Sequence, residues 1–264
     1  MEYKNLIVER TENIAVVSFN RPAKLNALSL DLHNEIQTIA DEFNEDARTR
    51  VVIFTGKGKD FSAGADLTDP KKAQQSQDSL LLKLRHMKVG HRTLRSIYEM
   101  DQITIAAVNG HALGGGACIA SACDFRIGAE NCFIGYPEVS LAMNLSWMAL
   151  PLCVHLIGPA RAKRMVILGN KEKAETLLNW GFLDEVVAEN QLLARAMEMA
   201  EAYAAQPPIA AQMVKRSVNA ISSALDQAIM HMDTDQYLYA TSGEDFQEAI
   251  QAFIEKRKGI FKGN

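Results

Sequence analysis

Residues 103–124 read ITIAAVNGHALGGGACIASACD. ITIAAV is a short unbroken apolar run ended by Asn109-Gly110, the pattern of a strand buried on both faces. The triplet Gly114–Gly116 stands between this strand and a run of small apolar residues that suits a helix. Glycines at such a junction let the backbone approach a ligand closely. A helix starting there aims free N–H groups and the positive end of its dipole at whatever sits above it. That suits an oxyanion or a phosphate; it also suits close packing of helix on strand. The stretch is neither GxGxxG nor a P-loop, because no Gly-Lys-Ser/Thr follows. Strand, helix and strand in this order predict an α/β domain with crossover connections.

Upstream, VVIFTG (51–56) is another buried strand, and KGKDFSAGADL follows it. FSAGADL (61–67) offers a second Gly-bearing loop after a strand. Two such loops can converge backbone N–H groups on one carbonyl oxygen, the logic of an oxyanion hole; an ordinary turn capped by Asp66 is the alternative. Residues 3–19 form two short strands across a turn at Thr11–Asn13. RPAKLNALS then loops to a helix over Leu30–Asn44, capped by Ser29, with Leu32, Ile36, Ile39, Ala40 and Phe43 at helical spacing. Residues 69–90, with QQSQDS at their middle, read as a polar, irregular and mobile segment, and a helix is expected from about 79 to 100.

Downstream, FRIGAENCFIGYPEVSLAM holds two short strand-like runs that lead to Gly135-Tyr136-Pro137-Glu138. A carboxylate between apolar stretches is poorly solvated, so Glu138 is a candidate for a raised pKa and a proton-moving role, although the motif alone favours a turn glutamate. A solvated turn glutamate is the plain alternative. Helical spacing then fills roughly 145–157, 159–168, 171–180, 189–205, 208–241 and 244–257. The expected organisation is a core over residues 1–200 and a helical C-terminal region over 201–264 that packs on another subunit.

Composition bounds the function. Of 264 residues, 48% are apolar and 23% charged, which excludes a largely disordered chain. Twenty-eight Lys and Arg against 32 Asp and Glu leave a net charge of −4, which argues against a dedicated nucleic-acid binder. The basic run Lys83, Arg85, Lys88, Arg92 and Arg95 reads as a solvated helix face, with an RNA contact as the alternative. The four cysteines form no CxxC pair and read as buried thiols in a reducing, cytoplasmic compartment. Cys118 follows the glycines, where a thiolate would be favoured, but a buried inert thiol is the preferred reading. The six histidines show no HExxH or paired spacing, so no metal is expected, and no apolar run reaches membrane-spanning length.

Taken together, RPAKLNALS, VVIFTGKGKDFSAGADL, IAAVNGHALGGGACIASACDFRIGAE, FIGYPEVSLA, GFLDEVV (181–187) and AFIEKRKGIFKG resemble the enoyl-CoA hydratase/isomerase (crotonase) superfamily across roughly residues 3–262. The resemblance implies a spiral of ββα repeats with a helical C-terminal trimerisation region, assembled as homotrimers or as hexamers built from two trimers. It implies an acyl-CoA substrate, with coenzyme A entering only as part of that substrate and no separate cofactor. By resemblance, the N–H groups of Ala65 and Gly115 grip the thioester carbonyl. Lys24, Leu25 and the stretch Ala63, Ala65, Asp66 and Leu67 line the CoA pocket, with Gly115 and Cys118 beside the acyl group. Phe253, Phe261 or Lys262 of a neighbouring subunit contribute in the same way.

Two departures from the superfamily pattern bear on the chemistry. Hydratases of this family carry one glutamate two residues after the glycine triplet and a second after the later proline; here Glu138 is present and Cys118 takes the first position. The hydratases' Gly-rich loop after the Pro-Glu pair is replaced by LAMNLSWMALPL (141–152). Both resemble Δ3,Δ2-enoyl-CoA isomerases, in which a single carboxylate moves a proton from C2 to C4. A hydratase on an unusual acyl-CoA, and a non-catalytic or RNA-associated member, are the alternatives.

Overall fold

The computed structural model describes residues 3–75 and 78–264. In chain order its strands are β1 (Leu6–Arg10), β2 (Ile14–Phe19), β3 (Val51–Gly56), β4 (Ile103–Val108), β5 (His111–Leu113), β6 (Phe125–Ala129), β7 (Phe133–Gly135), β8 (Glu172–Lys173) and β9 (Glu185–Val187). Its helices are α1 (Leu30–Asn44), α2 (Pro70–Gln75), α3 (Leu80–Met87), α4 (Val89–Tyr98), α5 (Gly115–Ala122), α6 (Ala149–Leu168), α7 (Ala174–Trp180), α8 (Leu192–Ala204), α9 (Pro208–Ser222), α10 (Gln227–Met230), α11 (Asp233–Thr241) and α12 (Glu244–Glu255).

Six strands form one sheet in the order β1-β2-β3-β4-β6-β9, parallel except at β1/β2. β2 and β4 are buried at every position, as expected of largely apolar strands covered on both faces, with Ser18 and Thr104 the polar members. A small sheet runs β5-β7-β8. Successive chain turns β4–β5–α5 and β6–β7–α6 each give one strand to each sheet and then a helix, which is the expected ββα spiral. The spiral stacks equivalent segments side by side: Leu28 pairs with Ala65, Ser62 with Ala112, and Ala112 with Ile134. These stacked segments build the site.

Ser29 caps α1 as expected, its Oγ accepting from Leu32 N at 3.2 Å, and α1 buries Leu32, His33, Ile36, Ile39, Ala40 and Phe43. The segment read as irregular is helical on both flanks, while Ser76 and Gln77 lie outside the described residues. The buried Asp69 carboxylate explains the start of α2, since it accepts from Lys71 N (2.9 Å) and from Leu30 N (2.7 Å). The helix expected over 79–100 divides at Lys88, because α4 buries Gly90, Thr93, Leu94 and Ile97 whereas α3 buries no residue. The basic run is therefore spread over two helices rather than one face. The helix expected over 208–241 also breaks, at Ser223–Asp226 and His231–Met232. No glycine or proline marks the first break; tertiary structure sets it, with buried Asp226 bonded to His155 Nε2 of α6 at 2.9 Å.

The C-terminal region packs onto its own chain. Lys215 of α9 is buried; its ammonium donates to Gln102 O at 2.7 Å and pairs with Asp124 at 2.8 Å. Removing one member of a buried pair strands the other charge. Lys215→Met is expected to cost about 3 kcal/mol in urea unfolding, and adding Asp124→Asn should recover part of that loss. Further along, α12 packs on the short 3-10 helix Glu138–Leu141, and Asp233 at the start of α11 accepts from Met148 N at 3.0 Å.

Candidate active site

The site begins at Gly114, whose φ of 51° and ψ of −120° suit only glycine. Its N–H donates to Gly135 O at 2.9 Å, joining the start of α5 to the end of β7. Gly115 opens α5, and its N–H is one of the helix's unpaired first donors. The loop 61–67 comes alongside. Leu113 N donates to Ser62 O at 2.9 Å, and Ser62 N donates to His111 O at 3.0 Å. A methyl placed on Gly64 lies 3.2 Å from Gly115 N. Among the described residues, the N–H groups of Ala65 and Gly115 meet no acceptor. The two loops read as candidate oxyanion donors thus adjoin, each with a free N–H, at the positive end of α5.

Glu138 reaches the same place from the next turn of the spiral. Its Oε1 lies 3.0 Å from where a methyl on Gly114 would sit. Its Oε2 is buried and has no hydrogen-bond partner among the described residues. Burial pushes the carboxyl from its ordinary range up to about 7, with its own backbone N–H acting weakly the other way. The plain alternative of a solvated turn glutamate is therefore set aside. Cys118 lies one turn into α5 and is 2% exposed. Burial first, and the Glu138 charge second, push its thiol well above the ordinary range, so it is a neutral thiol and not the thiolate that a helix N-terminus can favour. All four cysteines are buried and unpaired.

The remaining predicted residues separate into surface and brace. Lys24 and the side chains of Leu25 and Leu67 are exposed at the rim, and Lys24 Nζ lies 3.5 Å from Thr68 Oγ1. Ala63 and Ala65 are partly exposed between them. Asp66 is 4% exposed and fully occupied: Arg21 donates to it at 2.9 Å, Thr68 N at 2.9 Å and Thr68 Oγ1 at 2.8 Å. Its carboxylate clamps loop 21–28 to loop 62–68, so this carboxylate braces the rim rather than facing a ligand. Phe253, Phe261 and Lys262 are exposed near the chain end, where Lys262 N donates to Asp245 at 2.8 Å.

Several residues that hold the site carried no individual signal. Buried Asn26 bonds Arg21 N through Oδ1 (2.8 Å), and Lys57 O and Asp60 O through Nδ2 (3.0 and 2.6 Å), while its carbonyl accepts from Ser62 Oγ at 2.8 Å. Asn109 Nδ2 ties Gly56 O and Gly58 O at 2.9 and 3.0 Å. Asn109-Gly110 was legible as a turn, but this cross-link was not. Two pairs of consecutive non-glycine residues take left-handed backbone here, Leu25-Asn26 (φ 51° and 53°) and Trp147-Met148 (62° and 65°). Each such residue costs about 1–2 kcal/mol, and strain of this kind gathers at functional sites. The Asp233 bond to Met148 N offsets part of it.

No three His, Cys, Asp or Glu side chains among the described residues assemble as a metal site, and no described helix is long and apolar enough to cross a membrane. The arrangement is thus a pair of free backbone N–H groups beside one carboxyl whose Oε2 is buried and unpartnered among the described residues.

A family profile described as enoyl-CoA hydratase/isomerase matches residues 9–264. The short-chain-enoyl-CoA hydratase of Clostridium acetobutylicum is 34% identical over 98% of this chain and 97% of its own. The crotonyl-CoA hydratase of Syntrophomonas wolfei is 33% identical over 99% of each. Among solved structures, an enoyl-CoA hydratase from Bacillus anthracis shares 35% identity at a TM-score of 0.76, covering 99% of this chain and 100% of that one. A carnitinyl-CoA hydratase from Mycobacterium avium shares 28% at 0.87, covering 100% of each.

Proposed function

Because the chain belongs to the enoyl-CoA hydratase/isomerase family, an acyl-CoA enzyme family, we propose that it isomerises 3-enoyl-CoA to 2-enoyl-CoA with Glu138 as its single acid/base. The observation that carries this is Glu138, its Oε2 buried and unpartnered among the described residues, beside a buried thiol at Cys118 where a second carboxylate would stand. Hydration needs one group to deprotonate water and another to deliver a proton to C2, and a neutral buried thiol does neither at neutral pH. Isomerisation needs one group. The Glu138 carboxylate takes the C2 proton, the electron pair moves onto the thioester oxygen held by the N–H groups of Ala65 and Gly115, and the proton returns at C4. Gly115, Ala63, Ala65, Leu25 and Leu67 border the thioester and pantetheine path in this reading. Lys24 meets the CoA phosphates, Asp66 braces the rim, and Cys118 stands behind the acyl group. No cofactor enters beyond the CoA of the substrate. The four buried, unpaired thiols favour a reducing cytoplasm.

A second reading, hydration, is favoured by the names of the relatives at 33–34% identity. One assay separates the two. Incubation with a 3-enoyl-CoA should yield conjugated-enoyl absorbance at unchanged mass, and a 2-enoyl-CoA should gain no water. Addition of water to the latter overturns the isomerase reading. Nothing in the divided basic run favours an RNA-associated role.

The active base is the ionised carboxylate, so acidity opposes turnover. With Glu138 near 7, kcat/KM should fall about tenfold per pH unit below that value and level off above it. A pH–rate profile flat down to the ordinary carboxylate range would remove Glu138 from the role.

The assembly we propose is a homotrimer or a pair of trimers. Ile209, Met213, Val218, Ile221 and Leu225 are each at least 56% exposed along and just beyond α9, an apolar stripe of the kind that a second subunit covers. Light scattering on the eluted protein should give the mass of three or six chains, and Val218→Lys should lower it.

A further inference from the structure

Trp147 stands against the first residue of α5. A methyl built on Gly115 lies 2.6 Å from Trp147 Cζ3 and 2.8 Å from Leu28 Cδ1. On its other side the indole occupies the space where a Gly90 side chain would go: a methyl on Gly90 overlaps Cε2 and Cδ2 of the ring. The ring is also edge-on to His33 of α1, with centroids 5.2 Å apart and planes at 82°.

This support is rigid. Thr93 Oγ1 gives its proton to Val89 O (3.0 Å) and accepts from Gln37 Nε2 (2.9 Å). With its one proton committed, it can only accept from His33 Nδ1 at 2.9 Å, which fixes the ring of this fully buried histidine. The indole's own backbone is held in a left-handed turn by the Asp233 bond to Met148 N. Three helices and a strained turn therefore press a large, partly exposed aromatic ring against the residue whose N–H is the candidate oxyanion donor.

We propose that Trp147 is the end wall of the acyl chamber and restricts this enzyme to short acyl groups, with Gly90 as the notch that lets the indole sit back far enough for those groups to enter. The inference rests on the acyl-CoA reading above. An acyl chain whose carbonyl is held at Gly115 meets the indole within its first few carbons, and the packed glycine leaves the ring no retreat.

Titration calorimetry with saturated thioesters tests this without relying on catalysis. The full chain and its variants are titrated with CoA, butyryl-CoA, octanoyl-CoA and dodecanoyl-CoA. Wild type should bind butyryl-CoA about tenfold or more tighter than octanoyl-CoA, the scale of a misfit of a methylene or two. Trp147→Ala should reverse that order. Gly90→Ala, which drives the indole forward, should weaken butyryl-CoA about tenfold on its own and have little effect when combined with W147A. Should W147A fail to fold, Trp147→Leu should still shift the preference toward octanoyl-CoA. A chain-length profile that is flat in wild type, or unchanged by W147A and W147L, overturns the wall while leaving the acyl-CoA reading intact. Absence of binding to CoA and to all three thioesters overturns the acyl-CoA reading, and the wall with it.

Discussion

Glu138→Gln should reduce turnover of a 3-enoyl-CoA by roughly 10²–10⁴-fold, the usual contribution of a positioned acid/base, and should make the protein more stable at pH 8. Both effects have one cause. In the folded chain the carboxyl is pushed from 4.5 to about 7 because water is stripped from it. Below pH 4.5 it is protonated in both the folded and unfolded chains, and burial of its charge costs nothing. Between 4.5 and 7 the folded chain keeps a proton that the unfolded chain releases, so stability declines as pH rises through this window. Above 7 the full penalty, up to ~3 kcal/mol, stands. Glutamine fills the same space without a charge. Thermal unfolding at pH 8 and again near pH 4.5 should show a gain for the variant at the higher pH that vanishes at the lower. Full activity in E138Q would remove Glu138 from the chemistry. Lost activity with no pH-dependent change in stability would mean that the carboxyl is not buried as an ion.

Gly116→Ala should produce the second large loss. Its added methyl would sit 2.5 Å from Ser62 O and 2.9 Å from Ser62 Cβ. Ser62 cannot give way, because its N–H, its carbonyl and its hydroxyl are bonded to His111, Leu113 and Asn26. The loop carrying Ala65 must therefore move off α5 as a body, and the two N–H groups no longer point at one oxygen. Loss of one such donor costs about 10²–10³ in turnover. The expected result is a fall of that size in kcat together with a raised KM, since the displaced loop also carries Ala63 and Leu67 of the proposed CoA path. Unaltered kcat in a folded G116A would show that Ala65 and Gly115 do not act on a shared oxygen.

What could be read from the residues is what depends on local pattern. ITIAAV and VVIFTG are strands because parallel strands covered on both faces need unbroken apolar runs. Ser29 starts α1 by a cap of local geometry, and Gly114 marks a backbone turn that only glycine makes. Glu138 stood out as a carboxylate set between apolar stretches, and among the described residues its Oε2 is buried without a hydrogen-bond partner. What could not be read depends on partners far along the chain. Asp66 was legible as a turn cap, and it accepts from Thr68 N, but its bond to Arg21, 45 residues earlier, was not. The break after Ser222 has no local marker and is fixed by Asp226 finding His155. The α3/α4 division follows from which residues find a core to enter.

The bond from Met148 N to Asp233 joins positions 85 residues apart, and Asp233 comes long after Glu138 and Trp147 in the order of synthesis. Growth of the polypeptide on the ribosome therefore delivers the spiral, the paired N–H groups and Glu138 well before it delivers the latch for the turn that bears Trp147. A nascent chain halted short of α11 holds Glu138 beside the two N–H groups with the Trp147 turn still unlatched. A product truncated before Asp233 is left with an unlatched loop that proteases can find.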